Sequence, residues 1–326
     1  MRLRIRGTGS ALPAHCVTND ELSRIMDTSD EWIVSRTGIH SRHISHGEAT
    51  TDLCVQASRR ALADAGMDAE ELELIIAATV SPDDYLPNTG CAVQSAIGAV
   101  HAVAMELNAA CAGFLFALNT VQAYIQAGIY RKALVIGGEV LSKMVDWEDR
   151  STCVLFGDGA GAAVVEAAEE GYYFFCQGSD GRKGNVLSCR NRRVCNPFVS
   201  EEKALSEREK QDYVRMDGRE VFRFAVRTVP EAIREVLQRG ERTVEEVDWF
   251  LLHQANERII SAVAKRLKVS EEKFPMNLDH CGNTSAASIP ILLDEVNKKG
   301  LLKRGQTIVL SGFGAGLTWG AALLKW

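Results

Sequence analysis

ASRRALADAGMDAEELELIIAATVSP, residues 57–82, reads as a helix, a glycine stop, a Glu-Glu pair and an apolar strand. EAIREVLQRGERTVEEVDWFLLHQAN, residues 231–256, repeats that order. Further along, KALVIGGEV (132–140) has a counterpart in QTIVLSGFG (306–314), and the small-residue turn NAACAG (108–113) has one in NTSAAS (283–288). A period of about 175 residues is too long for a solenoid and means a duplicated domain. We therefore divide the chain into an N-terminal half, residues 1–170, and a C-terminal half, residues 171–326. Each half alternates helices with near-continuous apolar strands, as sheets covered on both faces require. The expected fold is α/β, with two mostly parallel sheets and the helices 112–127 and 284–297 buried between them.

The rest of the chain narrows the function. A net charge of −6 over 326 residues argues against a general nucleic-acid binder. The apolar runs are too short to span a bilayer, and MRLRIRGTGSALP alternates like a strand and does not resemble a signal peptide. A cytoplasmic, non-membrane protein is the expectation. The nine cysteines contain no C-x-x-C pair, so neither a disulfide framework nor a zinc knuckle is indicated, and no metal site is expected. His40, His43 and His46 lie in polar surroundings and read as a solvated segment. GTGSAL lacks the third glycine of a dinucleotide fingerprint and runs into Pro13. Residues 178–215, with Cys189 and Cys195, are polar and aperiodic and read as a surface excursion without an assigned role.

In open α/β sheets, sites form beyond the carboxyl ends of strands. Cys111, His253 and the glycine turn GFGAG (312–316) follow such ends, and Asn283 precedes a helix of the second half. Taken singly, Cys111 reads as a packed thiol, His253 as a satisfied strand-end histidine and Asn283 as a helix cap. At matching ends of a duplicated fold they read as one site. Cys111 at a helix N-terminus is expected to have a depressed pKa. Its N–H with an amide of the glycine turn, Gly314, makes an oxyanion hole. A neutral His253 and the Asn283 amide both donate to one thioester carbonyl. That set favours an enolate generated by loss of CO₂, since no carboxylate base is at hand.

AACAGF around Cys111, HQAN (253–256), GNTSAAS (282–288) and GFGAGLTWGAAL (312–323) resemble the thiolase superfamily, and within it the β-ketoacyl-acyl-carrier-protein synthase III family. DEWIVSRTGI (30–39) and LFGDGAGAAV (155–164) belong to the same pattern. The resemblance implies a five-layer α-β-α-β-α homodimer that passes an acyl group from acyl-CoA to Cys111. Malonyl-acyl-carrier protein is then decarboxylated at His253 and Asn283, and the carbanion condenses with the acyl-enzyme to initiate fatty acid synthesis. No cofactor is implied, because acyl-CoA is a substrate. Carried over by motif, Trp32 and Arg150 sandwich the adenine of CoA, and Arg36 and Thr37 lie near its phosphates and ring. Met216, Gly218, Ala255 and Asn256 line the pantetheine tunnel. Arg223, Arg258, Lys265 and Arg266 form a basic rim for the acidic carrier protein, and Leu86 floors the acyl pocket across the dimer. A smaller residue than the bulky aromatic of acetyl-selective relatives would admit longer or branched primers.

Two other classes compete. Related Cys-His-Asn enzymes use other acceptors, as polyketide or quinolone synthases and simple acyltransferases do; a requirement for carrier protein separates them. A binding scaffold with a dead site would fail to load an acyl group at all. A papain-like protease places its cysteine near the mature N-terminus, in a different context.

Overall fold

The structure, a computed structural model, describes residues 1–191, 198 and 212–326. Five strands build the first sheet: β1 (Arg2–Ala11), β2 (Leu74–Ala78), β3 (Val103–Leu107), β4 (Lys132–Glu139) and β5 (Gly159–Ala168), in the order β1-β5-β4-β2-β3. Four build the second: β6 (Tyr173–Ser179), β7 (Trp249–Leu252), β8 (Thr307–Gly314) and β9 (Thr318–Lys325), in the order β6-β9-β8-β7. The two orders match strand for strand, apart from β3. The first sheet draws only on residues 2–168 and the second only on residues 173–325.

Both sheets are mixed, which corrects the expectation of mostly parallel sheets. β3, β2 and β4 run parallel, as do β7 and β8, because helices cross over between them. β5 and β1 in one sheet, and β9 and β6 in the other, are antiparallel neighbours. β8 turns into β9 through residues 315–317 alone, a link too short for any crossover.

The helices named here are α1 (Asp30–Thr37), α2 (Thr50–Ala65), α3 (Thr89–Ile97), α4 (Gly113–Gln126), α5 (Gly218–Arg239), α6 (Glu257–Leu267) and α7 (Ser288–Lys298). α4 and α7 lie between the sheets, as their apolar composition predicts. Phe114, Leu115, Leu118 and Val121 of α4 share one core with Leu74, Val135, Leu251 and Leu310 from both sheets. α2 and α3 cover the outer face of the first sheet, and α5 and α6 cover that of the second. This is the five-layer α-β-α-β-α arrangement. Among the described residues no helix is long and apolar enough to cross a membrane.

His40 and His46 are exposed, as a solvated segment requires, but the stretch between them is partly ordered and buried. Ser41–His43 pairs as a strand with Cys16–Thr18, and Arg42 is fully buried, donating to the carbonyls of Val17 and Val154. Burial pushes the Arg42 guanidinium down to about 10. Of the 178–215 excursion, residues 192–197 and 199–211, with Cys195, lie outside the described residues. Its two ends are strands that pair with each other, Leu187–Ser188 with Arg215–Met216.

Candidate active site

The same strained turn occurs twice. After β3, the Asn108 side-chain Oδ1 accepts the Ala110 N–H at 3.2 Å, and Ala110 takes φ +49°. A 3₁₀ turn, Ala110–Ala112, then feeds α4. In the second half Asn283 accepts the Ser285 N–H at 2.9 Å, Ser285 takes φ +49°, and the turn Ser285–Ala287 feeds α7. Left-handed φ at two non-glycine residues is strain held by the surrounding fold, a recurrent feature of functional sites. The two turns pack together, with Ser285 and Cys111 lining one cavity wall. One copy presents the thiol; the other presents the amide. With Asn283 Oδ1 occupied by Ser285, its NH₂ is the end left for a ligand.

Cys111 is 8% exposed, and burial pushes its thiol up to about 12. This corrects the expected thiolate: desolvation outweighs the helix terminus, and the thiol is neutral at rest. Gly314 belongs here because of close approach. A Cβ at this position would stand 2.5 Å from the Cys111 nitrogen. The positive φ in this glycine turn falls at Gly316. Thr318 ties the turn to the nucleophile loop, its hydroxyl contacting the Ala109 and Ala315 carbonyls at 2.9 and 3.0 Å.

His253 follows β7, its N–H donating to Ser311 O at 2.9 Å and its ring set edge-on to Phe313 at 5.4 Å. Its Nδ1 is buried without a partner, and burial pushes the imidazole down to about 3. It is neutral. The HQAN motif positions it. Gln254 bonds Ser288 Oγ, Leu252 O and Asn277 N, while Asn256 caps α6 and donates to Arg36 O at 2.8 Å. The LFGDG segment pins the other arm: Asn283 N donates to Leu155 O, and Gly157 N donates to Asn283 O.

Two cavities meet at Cys111, Phe156 and Leu187. The larger, of about 1290 Å³, is lined by Cys111, His253, Asn283 and Gly314 at its inner end. Trp32, Arg36, Thr37, Met216, Gly218, Ala255 and Asn256 line its walls and mouth. The second, of about 740 Å³, runs from Cys111 toward Asp83, Tyr85 and Lys143. Ser29 caps α1 by accepting the Trp32 N–H, and the i, i+4 spacing sets the Arg36 guanidinium 4.5 Å over the Trp32 ring. Arg150 approaches the same ring at 5.2 Å and pairs with Asp27. A stacked base needs about 7 Å between its two neighbours, so Arg150 must withdraw to admit one.

Not every expected residue faces the cavity in the same way. The Thr37 hydroxyl is spent inside α1, donating to Ile33 O and accepting from Ile39 N, so a ligand meets the rest of its side chain. Arg223 and Arg258 line the mouth, with Arg223 paired to Glu220; Lys265 and Arg266 line neither cavity. Leu86 is 87% exposed and lines neither cavity of its own chain. Three features escaped the sequence reading. Arg215 and Arg219 extend the basic mouth. Both ends of the excursion, including Cys189, wall the cavities. Glu139 is buried behind the nucleophile, accepts from Thr79, Val80, Ser81 and Ser285, and is pushed by desolvation up to about 7. A lone carboxylate ending the apolar run ALVIGGEV was the available signal.

Residues 105–181 match the family described as 3-Oxoacyl-[acyl-carrier-protein (ACP)] synthase III, and residues 237–326 match its C-terminal region. A beta-ketoacyl-[acyl-carrier-protein] synthase III of Clostridium acetobutylicum is 51% identical over 325 residues, 99% of this chain and 98% of that one. The crystal structure of a 3-oxoacyl-[acyl-carrier-protein] synthase III from Aquifex aeolicus is similar at TM-score 0.91 and 44% identity, covering 99% of this chain and 100% of that one. A priming β-ketosynthase from the R1128 polyketide biosynthetic pathway is similar at TM-score 0.92 and 36% identity, covering 99% and 96%. With half of its residues identical to such an enzyme along nearly the whole length, the chain belongs to the β-ketoacyl-acyl-carrier-protein synthase III family.

Proposed function

We propose that Cys111, His253, Asn283 and Gly314 carry out the family's initiating condensation, with Cys111 accepting the acyl group. The observation that supports this most is the meeting of a neutral thiol, a neutral imidazole and a primary amide at the inner end of one cavity. In the first step Cys111 Sγ attacks the acyl-CoA carbonyl while its proton passes to His253. The N–H groups of Cys111 and Gly314 hold the oxyanion. The C–S bond to CoA breaks, and the CoA thiolate takes the proton. Moving a proton within a neutral pair avoids leaving a single buried charge.

After CoA leaves, the neutral imidazole exchanges its proton from Nδ1 to Nε2 through solvent. In the second step the malonyl thioester oxygen accepts from His253 Nε2–H and the Asn283 amide. The bond to the carboxylate breaks, CO₂ leaves, and the electron pair passes into the enolate. The enolate carbon attacks the acyl-Cys111 carbonyl, and the displaced thiolate recovers a proton. No cofactor is needed for this balance. Trp32, Arg36 and a displaced Arg150 receive the nucleotide end of CoA. Arg223 and Arg258, with Lys265 and Arg266 further along α6, receive the carrier protein. Among the described residues β3 is an edge strand paired on one side alone, and Val103 on it and nearby Val100 are exposed apolar residues. A second copy pairing there hides that edge and brings Leu86 to its partner's acyl pocket. We read the chain as two halves, 1–170 and 171–326, working in the cytoplasm.

Intact-protein mass spectrometry with acetyl-, isobutyryl- and longer acyl-CoAs tests this. One acyl adduct is expected, absent in Cys111→Ser and discharged by malonyl-carrier protein. Discharge by free malonyl-CoA alone would move the protein to the polyketide type, and no adduct from any acyl-CoA would overturn the reading.

A further inference from the structure

We propose that His280, Cys281 and Glu295 form a site for a borderline divalent cation, Zn²⁺, directly behind the Asn283 arm. One ligand atom from each of the three residues lies within 4.8 Å of the other two. His280 Nε2 stands 3.2 Å from Glu295 Oε1, and Cys281 Sγ stands 3.7 Å from the same oxygen. Tetrahedral Zn²⁺ with ordinary Zn–N, Zn–S and Zn–O lengths places such ligand pairs about 3.3–3.6 Å apart. The donors are therefore close to the spacing that the ion imposes.

The surroundings fit as well. His280 Nδ1 lies 2.9 Å from Asp279 Oδ1 and Nε2 faces Glu295 Oε1, so an ion that replaces the proton on Nε2 leaves Nδ1–H on Asp279 and completes a carboxylate–histidine–metal relay. Asn277 Nδ2 donates to Glu295 Oε1 at 3.0 Å and orients that carboxylate. Lys299 Nζ, 3.5 Å from Oε2, faces the other oxygen. A thiolate and a carboxylate balance the ion's two charges. Cys281 is buried while His280 is half-exposed, so the set is reached from the His280 side. The sequence hid this set because His280 and Cys281 are adjacent, and Glu295 reaches them only when α7 packs back.

The consequence lies two residues on. Gly282 and Asn283 follow Cys281 directly, and the Asn283 backbone is already tied to Leu155 and Gly157. A bound ion clamps Asp279–Cys281 to α7 and holds that arm from its other end. The test is a Co²⁺ titration of the full-length protein, read as the near-ultraviolet thiolate-to-cobalt charge-transfer band and reversed by Zn²⁺. One equivalent is expected to produce the band in the wild type and in Cys111→Ser. Cys281→Ser should lose it, and the half-exposed His280→Ala, where folding is least at risk, should weaken binding at least about tenfold. Absence of the band in the wild type, or a full band in Cys281→Ser, would overturn the proposal.

Discussion

Cys111 and His253 are both held in their uncharged forms by burial, and that decides how the site responds to pH. The folded-state pKa of His253, about 3, lies below its unfolded value of about 6.5. As pH falls through that window the unfolded chain binds a proton that the folded chain refuses, so stability falls with pH. Between pH 6.5 and 5 the loss attributable to this group is roughly 2 kcal/mol. A His253→Gln variant should therefore show a flatter dependence of its urea midpoint on pH, and an unchanged slope would contradict the neutral imidazole. Gly314 invites a second measurement at this scale. Its missing Cβ makes room for the Cys111 nitrogen, which an added Cβ would meet at 2.5 Å. Gly314→Ala should lower kcat by about 10²-fold, the usual effect of spoiling one oxyanion donor. Near-normal turnover would move the oxyanion hole elsewhere.

At the scale of elements, duplication lets one architecture present different chemistry on its two copies. β2 pairs with β4 so that Ala78 faces Gly137, and β7 pairs with β8 so that Leu252 faces Ser311. The next residues are Thr79 in one copy and His253 in the other, and two beyond the paired glycine and serine come Glu139 and Phe313. Thr79 hydrogen-bonds Glu139, whereas His253 packs on Phe313. The same backbone position thus carries a polar anchor in one half and a neutral donor in the other. α1 works separately from this pair, because its i, i+4 spacing places Trp32 and Arg36 together at the cavity mouth. Trp32→Ala should raise KM for acyl-CoA by about tenfold, with the discharge rate of pre-acylated enzyme unchanged. An equal fall in discharge would place Trp32 in the chemistry.

For the whole molecule, the edge of the first sheet is the feature that an isolated chain leaves unresolved. Among the described residues β3 pairs only with β2, and Val103 at its start is 48% exposed. Natural sheets rarely leave such an edge unprotected. On the proposed dimer, Val103→Lys should shift sedimentation toward the monomer and lower condensation, because the proposed reach of Leu86 into a neighbouring pocket would be lost. A fully active monomer would show that the acyl pocket is complete within one chain.

The repeat of helix, Glu-Glu pair and apolar strand was enough to predict a duplicated α/β fold with helices between two sheets, because strand and helix periodicity are local properties. The five layers came from the family resemblance. The residues Cys111, His253 and Asn283 stood out for a related reason: each follows a strand end or opens a helix. What the sequence could not supply was set by distant neighbours. Strand direction in β5 and β9 depended on connections that carry no crossover helix. Protonation of Cys111 depended on how completely other layers covered it, and that reversed the expected thiolate. Glu139, Arg42 and the His280–Cys281–Glu295 cluster became visible only once packing had removed water around them. Desolvation is a property of the assembled layers, so the sequence named the reactive groups and the tertiary structure decided their charge.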